Sequence, residues 1–180
     1  MRDGSQSAAE VFLELRMTME PTEALPPSPD TPGVIAPPPI VFAVGFGVAM
    51  LLNWMHGFRI PFYPVGLEWP GLMLMNASLV LALWAAFYMN RARTHINPML
   101  PTTELVTGGP YRFSRNPLSV SLLLLYVGCS LRLDTFWPLL LLAPLLVVFH
   151  FGVIQREERY LERKFGESYR DYCAKVRRWI

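Results

Sequence analysis

Four long apolar segments constrain the fold of this chain more than any other feature. They cover approximately residues 34 to 55, 69 to 89, 117 to 133 and 135 to 154, in a chain whose residues are 52% hydrophobic. A helix needs ~20 apolar residues to cross the hydrocarbon core of a bilayer. The sequence therefore predicts an all-α fold, an integral membrane helical bundle with about four transmembrane helices and a cytoplasmic C-terminal helix.

The third apolar segment is shorter than the others. Only sixteen residues separate Arg115 from Arg132, the charged residues that flank it. Such a segment either crosses a locally thinned bilayer or forms one arm of a hairpin that stops before the far face. The sequence leaves both alternatives open.

The basic residues are distributed unevenly between the connections. The leader, the loop from 90 to 117 and the tail from 155 to 180 together hold 14 of the 16 lysines and arginines. With four spans these three segments share one side of the membrane, and an excess of basic residues marks the cytoplasmic side. We therefore expect an inner-membrane protein with both termini in the cytoplasm.

The leader differs in composition from the rest of the chain. Residues 1–33 contain six acidic residues and end in a proline-rich stretch, which predicts a disordered cytoplasmic leader before a membrane domain at 34–180. The two cysteines, Cys129 and Cys173, are too few and too differently placed for a disulfide framework. We interpret both as free thiols.

The tail is predicted to continue the fourth span as a helix. One face of this helix carries Ile154, Glu158, Leu161 and Phe165, and His150 extends that face back into the membrane. Gly166 is expected to end or kink the helix, and Tyr169, Tyr172 and Val176 indicate another amphipathic turn or two beyond it.

The tail contains two adjacent acidic residues with different surroundings. Glu158 falls on the apolar face of a predicted helix that continues the fourth span, whereas Glu157 is predicted to face the loop or solvent. A carboxylate on a buried face requires a cation or a donor. Glu158 is therefore a site candidate, and a structural ion pair with Arg112 or Arg115 is an equally good interpretation.

His150 has two interpretations. It lies near the inner boundary of the fourth span, where a ligand role and a bond to a neighbouring helix are equally plausible.

Several other site types are not supported by the sequence. No second histidine or cysteine stands at ligand spacing, so no metal site is predicted, and no nucleic-acid partner is predicted either. Gly45 and Gly47 are better explained by close helix packing than by a dinucleotide loop, and Asn76 and Ser78 by bonds between helices.

Two motifs flank the third and fourth apolar segments. LVTGGPYRFSRNP precedes the third segment and REERYLERKFGESYRDYCAKVRRWI follows the fourth. In this order and separation they resemble the isoprenylcysteine carboxyl methyltransferase and phospholipid methyltransferase family, over roughly residues 91–180. The resemblance implies a small all-helical membrane enzyme with S-adenosylmethionine held between the loop before the third span and the tail helix.

The resemblance also implies which residues form the site. The catalytic role is not assigned, although Arg115 and Glu158 are candidates for it. The implied cofactor-binding residues are Leu105, Val106, Gly109, Tyr111, Arg115, Asn116, Pro117, His150, Glu157 and Glu158. Of these, Arg115 is expected to pair with the cofactor carboxylate, and Glu157 or Glu158 with its amino group.

The chain departs from the family pattern at three positions. Asn116 stands where many members have histidine, Ser119 stands where a tyrosine is common, and Ser121 replaces a usual glycine. An amide can donate and accept hydrogen bonds as a neutral imidazole does, so Asn116 is compatible with cofactor binding. Ser119 removes an aromatic wall from the expected site.

The predicted function is methyl transfer from S-adenosylmethionine to a lipophilic or membrane-embedded acceptor. The acceptor is an isoprenylcysteine-like carboxylate, a phospholipid amine or another small apolar O, N or S nucleophile. Two alternatives remain from the sequence: a membrane reductase with a nicotinamide cofactor, and a non-catalytic membrane protein that keeps the fold. Binding of the cofactor distinguishes these hypotheses.

Overall fold

The computed structural model describes residues 30–61 and 66–179, and every regular element in these ranges is helical. The predicted disordered leader falls mostly on residues 1–29, which lie outside the described residues. The helices are α1 (Pro38–His56), α2 (Glu68–Arg91), α3 (Pro117–Arg132), α4 (Trp137–Phe149), α5 (Gln155–Phe165) and α6 (Glu167–Lys175). A 3₁₀ turn at Gly109–Arg112 precedes α3, and a π-helical segment at His150–Ile154 joins α4 to α5.

Three helical segments are long and apolar enough to cross a membrane. They are Pro38–His56, Glu68–Arg91 and the continuous segment Trp137–Phe165. Large apolar side chains point outward from them; Trp54 on α1 is 83% exposed and Met73 on α2 is 69% exposed. A surface this apolar is stable only against lipid, which confirms the predicted membrane bundle.

α3 is the short helix that the sequence predicted. Its 16 residues extend only about 24 Å at 1.5 Å per residue. It ends at Arg132, after which Asp134 adopts a positive φ of 48° and accepts a hydrogen bond from the backbone N–H of Ile60 at 3.3 Å. The turn between α3 and α4 is thus joined to the connection that follows α1.

α2 and α3 pack closely along their length. A Cβ atom on Gly71 would lie 2.8 Å from the backbone nitrogen of Arg132, and one on Gly128 would lie 2.9 Å from the carbonyl oxygen of Gly71. The Ser78 hydroxyl also donates a 2.7 Å hydrogen bond to the carbonyl oxygen of Ser121. Small residues allow the two backbones to touch, as is usual between membrane helices.

The structure also tests the packing roles predicted for other small and polar residues of the spans. Ser78 bonds across helices as predicted, whereas the Asn76 amide donates to the Leu72 carbonyl of its own helix. A Cβ on Gly45 would lie 2.8 Å from Leu145, so close packing explains this glycine. A Cβ on Gly47 would have no neighbour within 4 Å, and the residue is exposed.

The predicted continuation of the fourth span into the tail is confirmed, but it passes through the π-helical segment. The carbonyl of Gly152 in this segment accepts a 3.2 Å hydrogen bond from the N–H of Ile35, which precedes α1. Because a π-helical turn contains more residues than an α-helical turn, the residues after this segment face a different direction from the one that a regular helix would give them. Gly166, with φ 55°, then ends α5, as predicted, and α6 begins at the next residue.

Candidate active site

A cavity lies between the α2–α3 loop and the α5–α6 segment. It encloses about 850 Å³ of open space, part of which is continuous with solvent. Both walls come from segments that the sequence placed on one side of the membrane. The lining residues are Pro38, Met89, Thr94, His95, Ile96, Pro98, Thr102, Glu104, Leu105, Val106, Tyr111, Arg115, Asn116, Pro117, Leu118, Ser119, Glu157, Glu158, Leu161, Tyr169 and Tyr172.

Hydrogen bonds hold the loop wall in place. The backbone N–H of Thr103 donates to the hydroxyl of Thr94, and the Thr103 hydroxyl donates to the carbonyl of Arg93, at 3.1 and 2.8 Å. The N–H of Thr102 donates to the Tyr160 hydroxyl of α5 at 3.1 Å. The loop is therefore attached both to the end of α2 and to the opposite wall.

The 3₁₀ turn brings Tyr111 into the cavity. Gly109 begins this turn with a φ of 58°, a conformation that favours glycine, and a Cβ there would lie 2.5 Å from the Tyr88 ring. Tyr111 is buried, and its carbonyl accepts a 2.6 Å hydrogen bond from the Tyr172 hydroxyl of α6. Burial raises the pKa of both tyrosines, so both remain neutral phenols at physiological pH.

Glu158 is the centre of an ion cluster. Arg178 holds it with two hydrogen bonds, from Nε to Oε1 at 2.9 Å and from Nη2 to Oε2 at 2.7 Å. Nη1 of Arg115 lies 3.2 Å from Oε1 of the same carboxylate and 2.7 Å from the Cys173 sulfur. The sequence proposed Arg112 or Arg115 as the ionic partner; the structure confirms Arg115 and adds Arg178.

Arg115 is charged but incompletely bonded. Burial lowers the pKa of its guanidinium, and the Glu158 carboxylate with Cys173 and Tyr169 raises it by more, so the net shift is upward. Its Nε is buried and has no hydrogen-bond partner among the residues that the structure describes. One donor of a permanent cation is thus unsatisfied at the edge of the cavity.

Glu157 differs from its neighbour. Its side chain is half-buried and lines the cavity. Within residues 30–61 and 66–179 it has neither an ion pair nor a hydrogen bond, whereas Glu158 has two arginines. Glu157 is therefore an unpaired acidic group that the cavity offers to a cationic group of a ligand.

Eight of the ten residues that the resemblance implied lie together at this cavity. Gly109 does not line it and instead supports the loop against Tyr88. His150 does not line it either, because the π-helical segment turns its ring away from the face that carries Glu158. The ring lies 3.3 Å from the Gln155 amide and borders a second, apolar groove with Val120, Leu123, Leu146, Val147, Phe151 and Trp179.

The sequence analysis missed several residues of the site. Tyr169 and Tyr172 were read as an amphipathic pattern, but both are buried and line the cavity. Their three-residue spacing beyond Gly166 was the available signal. Nothing in the local sequence distinguishes Arg178 from Arg177. In the described ranges no group of three histidine, cysteine or acidic side chains is placed to hold a metal ion.

Comparison with known proteins gives three relatives over parts of the chain. The nickel-cobalt-cadmium resistance protein NccN of Alcaligenes xylosoxydans xylosoxydans is 30% identical over 106 residues, 59% of this chain and 46% of that protein. The cobalt-zinc-cadmium resistance protein CzcN of Cupriavidus metallidurans is 29% identical over 97 residues, 54% of this chain and 41% of that protein. An uncharacterised Haemophilus influenzae protein is 43% identical over 61 residues, 34% of this chain and 97% of that protein.

The matches to the two resistance proteins thus span less than half of their length. The phospholipid methyltransferase family matches residues 68–168, from the start of α2 to the first turn of α6. This range contains the whole loop wall and all three glutamates that line the cavity, and it ends before Tyr169 and Arg178. The match covers more than half of the chain and agrees with the resemblance drawn from the two motifs. The chain belongs to the phospholipid methyltransferase family, a family of membrane methyltransferases.

Proposed function

We propose that this protein transfers a methyl group from S-adenosylmethionine to a lipophilic or membrane-embedded acceptor. The observation that carries the proposal is the pairing, in one cavity, of a permanent cation with an unsatisfied donor, Arg115, and a carboxylate without a partner, Glu157. The amino-acid end of the cofactor carries the complementary charges, a carboxylate and an ammonium group. Charge-assisted hydrogen bonds of this kind are about twice as strong as neutral ones.

The residues present fit this cofactor. Arg115 would bind its carboxylate, and Glu157 its ammonium group, since the oxygens of Glu158 are already used by two arginines. Leu105, Val106 and Tyr111 supply apolar surface for the adenosine part.

When bound, the cofactor supplies a methyl group on a cationic sulfonium, which is transferred to a nucleophile in line with it. The protein's contribution is to hold both reactants in that geometry, which can account for much of the rate enhancement. The hydrogen bonds from Thr102 to Tyr160 and from Tyr172 to Tyr111 fix the two walls relative to each other. The neutral tyrosines line the cavity without adding negative charge that would compete with Glu157.

We propose that the acceptor enters from the membrane side. The cavity is bordered by Pro38 at the start of α1 and by Pro117, Leu118 and Ser119 at the start of α3. Ser119 leaves space where the resemblance implied an aromatic ring. A carboxylate, an amine or another small O, N or S nucleophile on an apolar chain remains compatible with this opening.

The orientation of the site follows from the charge distribution and is part of the proposal. The loop and tail that form the cavity belong to the segments that hold 14 of the 16 basic residues, which favours the cytoplasmic side of the inner membrane. In a cysteine-free variant, a cysteine at Thr103 should resist labelling from outside intact cells. One at the exposed Arg59, on the opposite side, should be labelled; the reverse pattern would contradict a cytoplasmic site.

Ligand binding by the purified protein in detergent or nanodiscs tests the function. Calorimetry should show binding of S-adenosylmethionine and S-adenosylhomocysteine and no binding of a nicotinamide dinucleotide. Glu157→Gln should weaken both cofactor forms by about 1.5–3 kcal/mol, because it removes a charged hydrogen bond. Glu162→Gln on the exposed side of α5 is the matched control. Binding of the nicotinamide dinucleotide alone would indicate the reductase, and binding of no cofactor a non-catalytic protein.

Incubation with cofactor labelled in its methyl group and with membrane lipids then identifies the acceptor. Label should appear in the lipid-soluble fraction with the wild-type protein and be strongly reduced with Glu157→Gln. Label that stays in the water-soluble fraction would contradict a lipophilic acceptor.

A further inference from the structure

The segment after α6 returns to the cavity and binds the loop before α3. From Val176, whose backbone is extended, residues 176–179 lie against residues 114–116, and we call them the C-terminal clamp. The carbonyl of Arg177 accepts a 3.0 Å hydrogen bond from the N–H of Arg115. The carbonyl of Arg178 accepts from the Ser114 hydroxyl and the Asn116 amide, each at 3.3 Å.

These backbone contacts place the Arg178 side chain against Glu158. The clamp is further anchored by Trp179, which packs on the core formed around Phe42, Phe149 and Val153. The Arg178 guanidinium is 36% exposed and does not line the cavity, whereas the Arg115 and Glu158 side chains are only 16% and 15% exposed. Arg178 therefore acts on the site from outside it, through the Glu158 carboxylate.

The charge balance of the cluster depends on Arg178. With two guanidinium groups and one carboxylate, the cluster carries a net charge of one positive unit. Arg178 engages both oxygens of Glu158 in a forked pair at 2.7 and 2.9 Å, and Arg115 makes one longer contact at 3.2 Å. Without Arg178 the carboxylate would pair fully with Arg115, and the positive charge beside the cavity would be neutralised.

We infer that Arg178 is a positioning residue of this site: by binding both oxygens of Glu158, it leaves Arg115 available for the anionic group of the ligand. The identity of that group as the carboxylate of an adenosyl amino acid rests on the proposed function. Arg178 lies ten residues beyond the end of the matched family range, 68–168, so the family match does not assign it this role.

Binding of three adenosyl ligands to the full-length protein tests this role. Arg178→Gln should weaken S-adenosylhomocysteine roughly tenfold or more, the loss of one charged interaction. It should leave methylthioadenosine, which has no amino-acid end, and decarboxylated S-adenosylmethionine, which has no carboxylate, almost unchanged. Arg178→Lys keeps the charge but not the forked geometry and should give an intermediate affinity. An equal loss for all three ligands would indicate a merely structural role and overturn the inference.

Arg177→Gln is the matched control, because it removes the same charge from the neighbouring exposed side chain and retains the backbone hydrogen bond of the clamp. It should bind all three ligands as the wild type does. If the wild type binds S-adenosylhomocysteine and Arg178→Gln binds it equally well, the inference fails and the proposed function stands.

A measurement without ligand further distinguishes a positioning role of Arg178 from a merely structural role. In a Cys129→Ser background, the only remaining thiol is Cys173, whose sulfur lies 2.7 Å from Arg115 Nη1. Arg115 Nη1 donates a hydrogen bond to this sulfur, so the alkylation rate of Cys173 depends on where the guanidinium lies. If loss of Arg178 draws Arg115 fully onto Glu158, the rate of alkylation of Cys173 by iodoacetamide should change in Arg178→Gln and not in Arg177→Gln. Equal rates in the two variants would overturn the inference even if the protein bound no cofactor.

Discussion

The α2–α3 hairpin and the ion cluster around Glu158 each bring distant parts of the chain together, but through opposite kinds of contact. In the hairpin, Gly71 and Gly128 allow the backbones of α2 and α3 to touch, and the Ser78 hydroxyl adds one hydrogen bond between the two helices. In the cluster, charged side chains meet at 2.7 to 3.2 Å, and hydrogen bonds to the backbone carbonyls of the C-terminal clamp bring them together. The membrane half thus depends on the absence of side chains, and the half formed by the α2–α3 loop and the tail depends on their chemistry.

This difference follows from the solvent on each side. Lipid tails are as apolar as the side chains, so burial of apolar area gives little driving force and close packing decides which helices associate. Around the loop and the tail, polar and charged side chains are present, and a buried charge among them remains stable only with partners of opposite charge. Substitutions in the two regions should therefore destabilise the protein for different physical reasons.

The largest effect is expected at Glu158. Glu158→Gln leaves Arg115 and Arg178 without their shared counter-charge, and should lower the free energy of unfolding by about 3 kcal/mol. Thermal unfolding in detergent measures the change. Glu157→Gln is the matched control, and it should not lower stability, because an unpaired, half-buried carboxylate does not stabilise the fold. Equal losses for the two variants would show that the cluster does not hold the loop and the tail together.

The hairpin should respond to the addition of a single methyl group. Gly71→Ala places a Cβ 2.8 Å from the backbone nitrogen of Arg132, where no side chain can move aside, and overpacking of this kind costs about 1–3 kcal/mol. Gly47→Ala adds the same group where nothing lies within 4 Å. It should be neutral or slightly stabilising, because alanine favours helix. If the melting temperatures of the two variants coincide, the close approach of α2 and α3 is not what stabilises the pair.

The smallest effect is expected from two tyrosine hydroxyls, one in each half. Tyr172→Phe removes the 2.6 Å hydrogen bond to the Tyr111 carbonyl and should cost about 1 kcal/mol, with a looser cavity wall. The Tyr126 hydroxyl in α3 is buried without a partner among the described residues. Tyr126→Phe should therefore be neutral or stabilising. A stability loss for Tyr126→Phe that matches Tyr172→Phe would mean that polar bonds matter equally in both halves.

Much of the helical organisation was predictable because it depends on local composition. The three long spans and the short third helix follow from the lengths of apolar runs between charged residues. Gly166 was recognised as a helix end because glycine reaches a positive φ without strain. The cytoplasmic orientation stays a prediction, since it is a property of the protein in its membrane.

The candidate site was predictable only where a motif kept its residues close together in sequence. Tyr111, Arg115, Asn116 and Pro117 come from one short stretch and all line the cavity, so their proximity could be predicted from the motif. His150 was placed on the same face as Glu158 by assuming a regular helix. The π-helical segment between them breaks that periodicity, and the composition of residues 150–154 gives no sign of it.

The sequence by itself determined that this chain is a helical membrane protein, that its charges gather on one side, and that two acids stand beside each other in the tail. Only the tertiary structure decided which of these acids is free. Glu158 meets Arg178 from 20 residues further along the chain and Arg115 from the loop before α3, whereas Glu157 meets no described cation. A charge selects its partner by distance in space, and two adjacent residues about 100° apart on a helix encounter different surroundings.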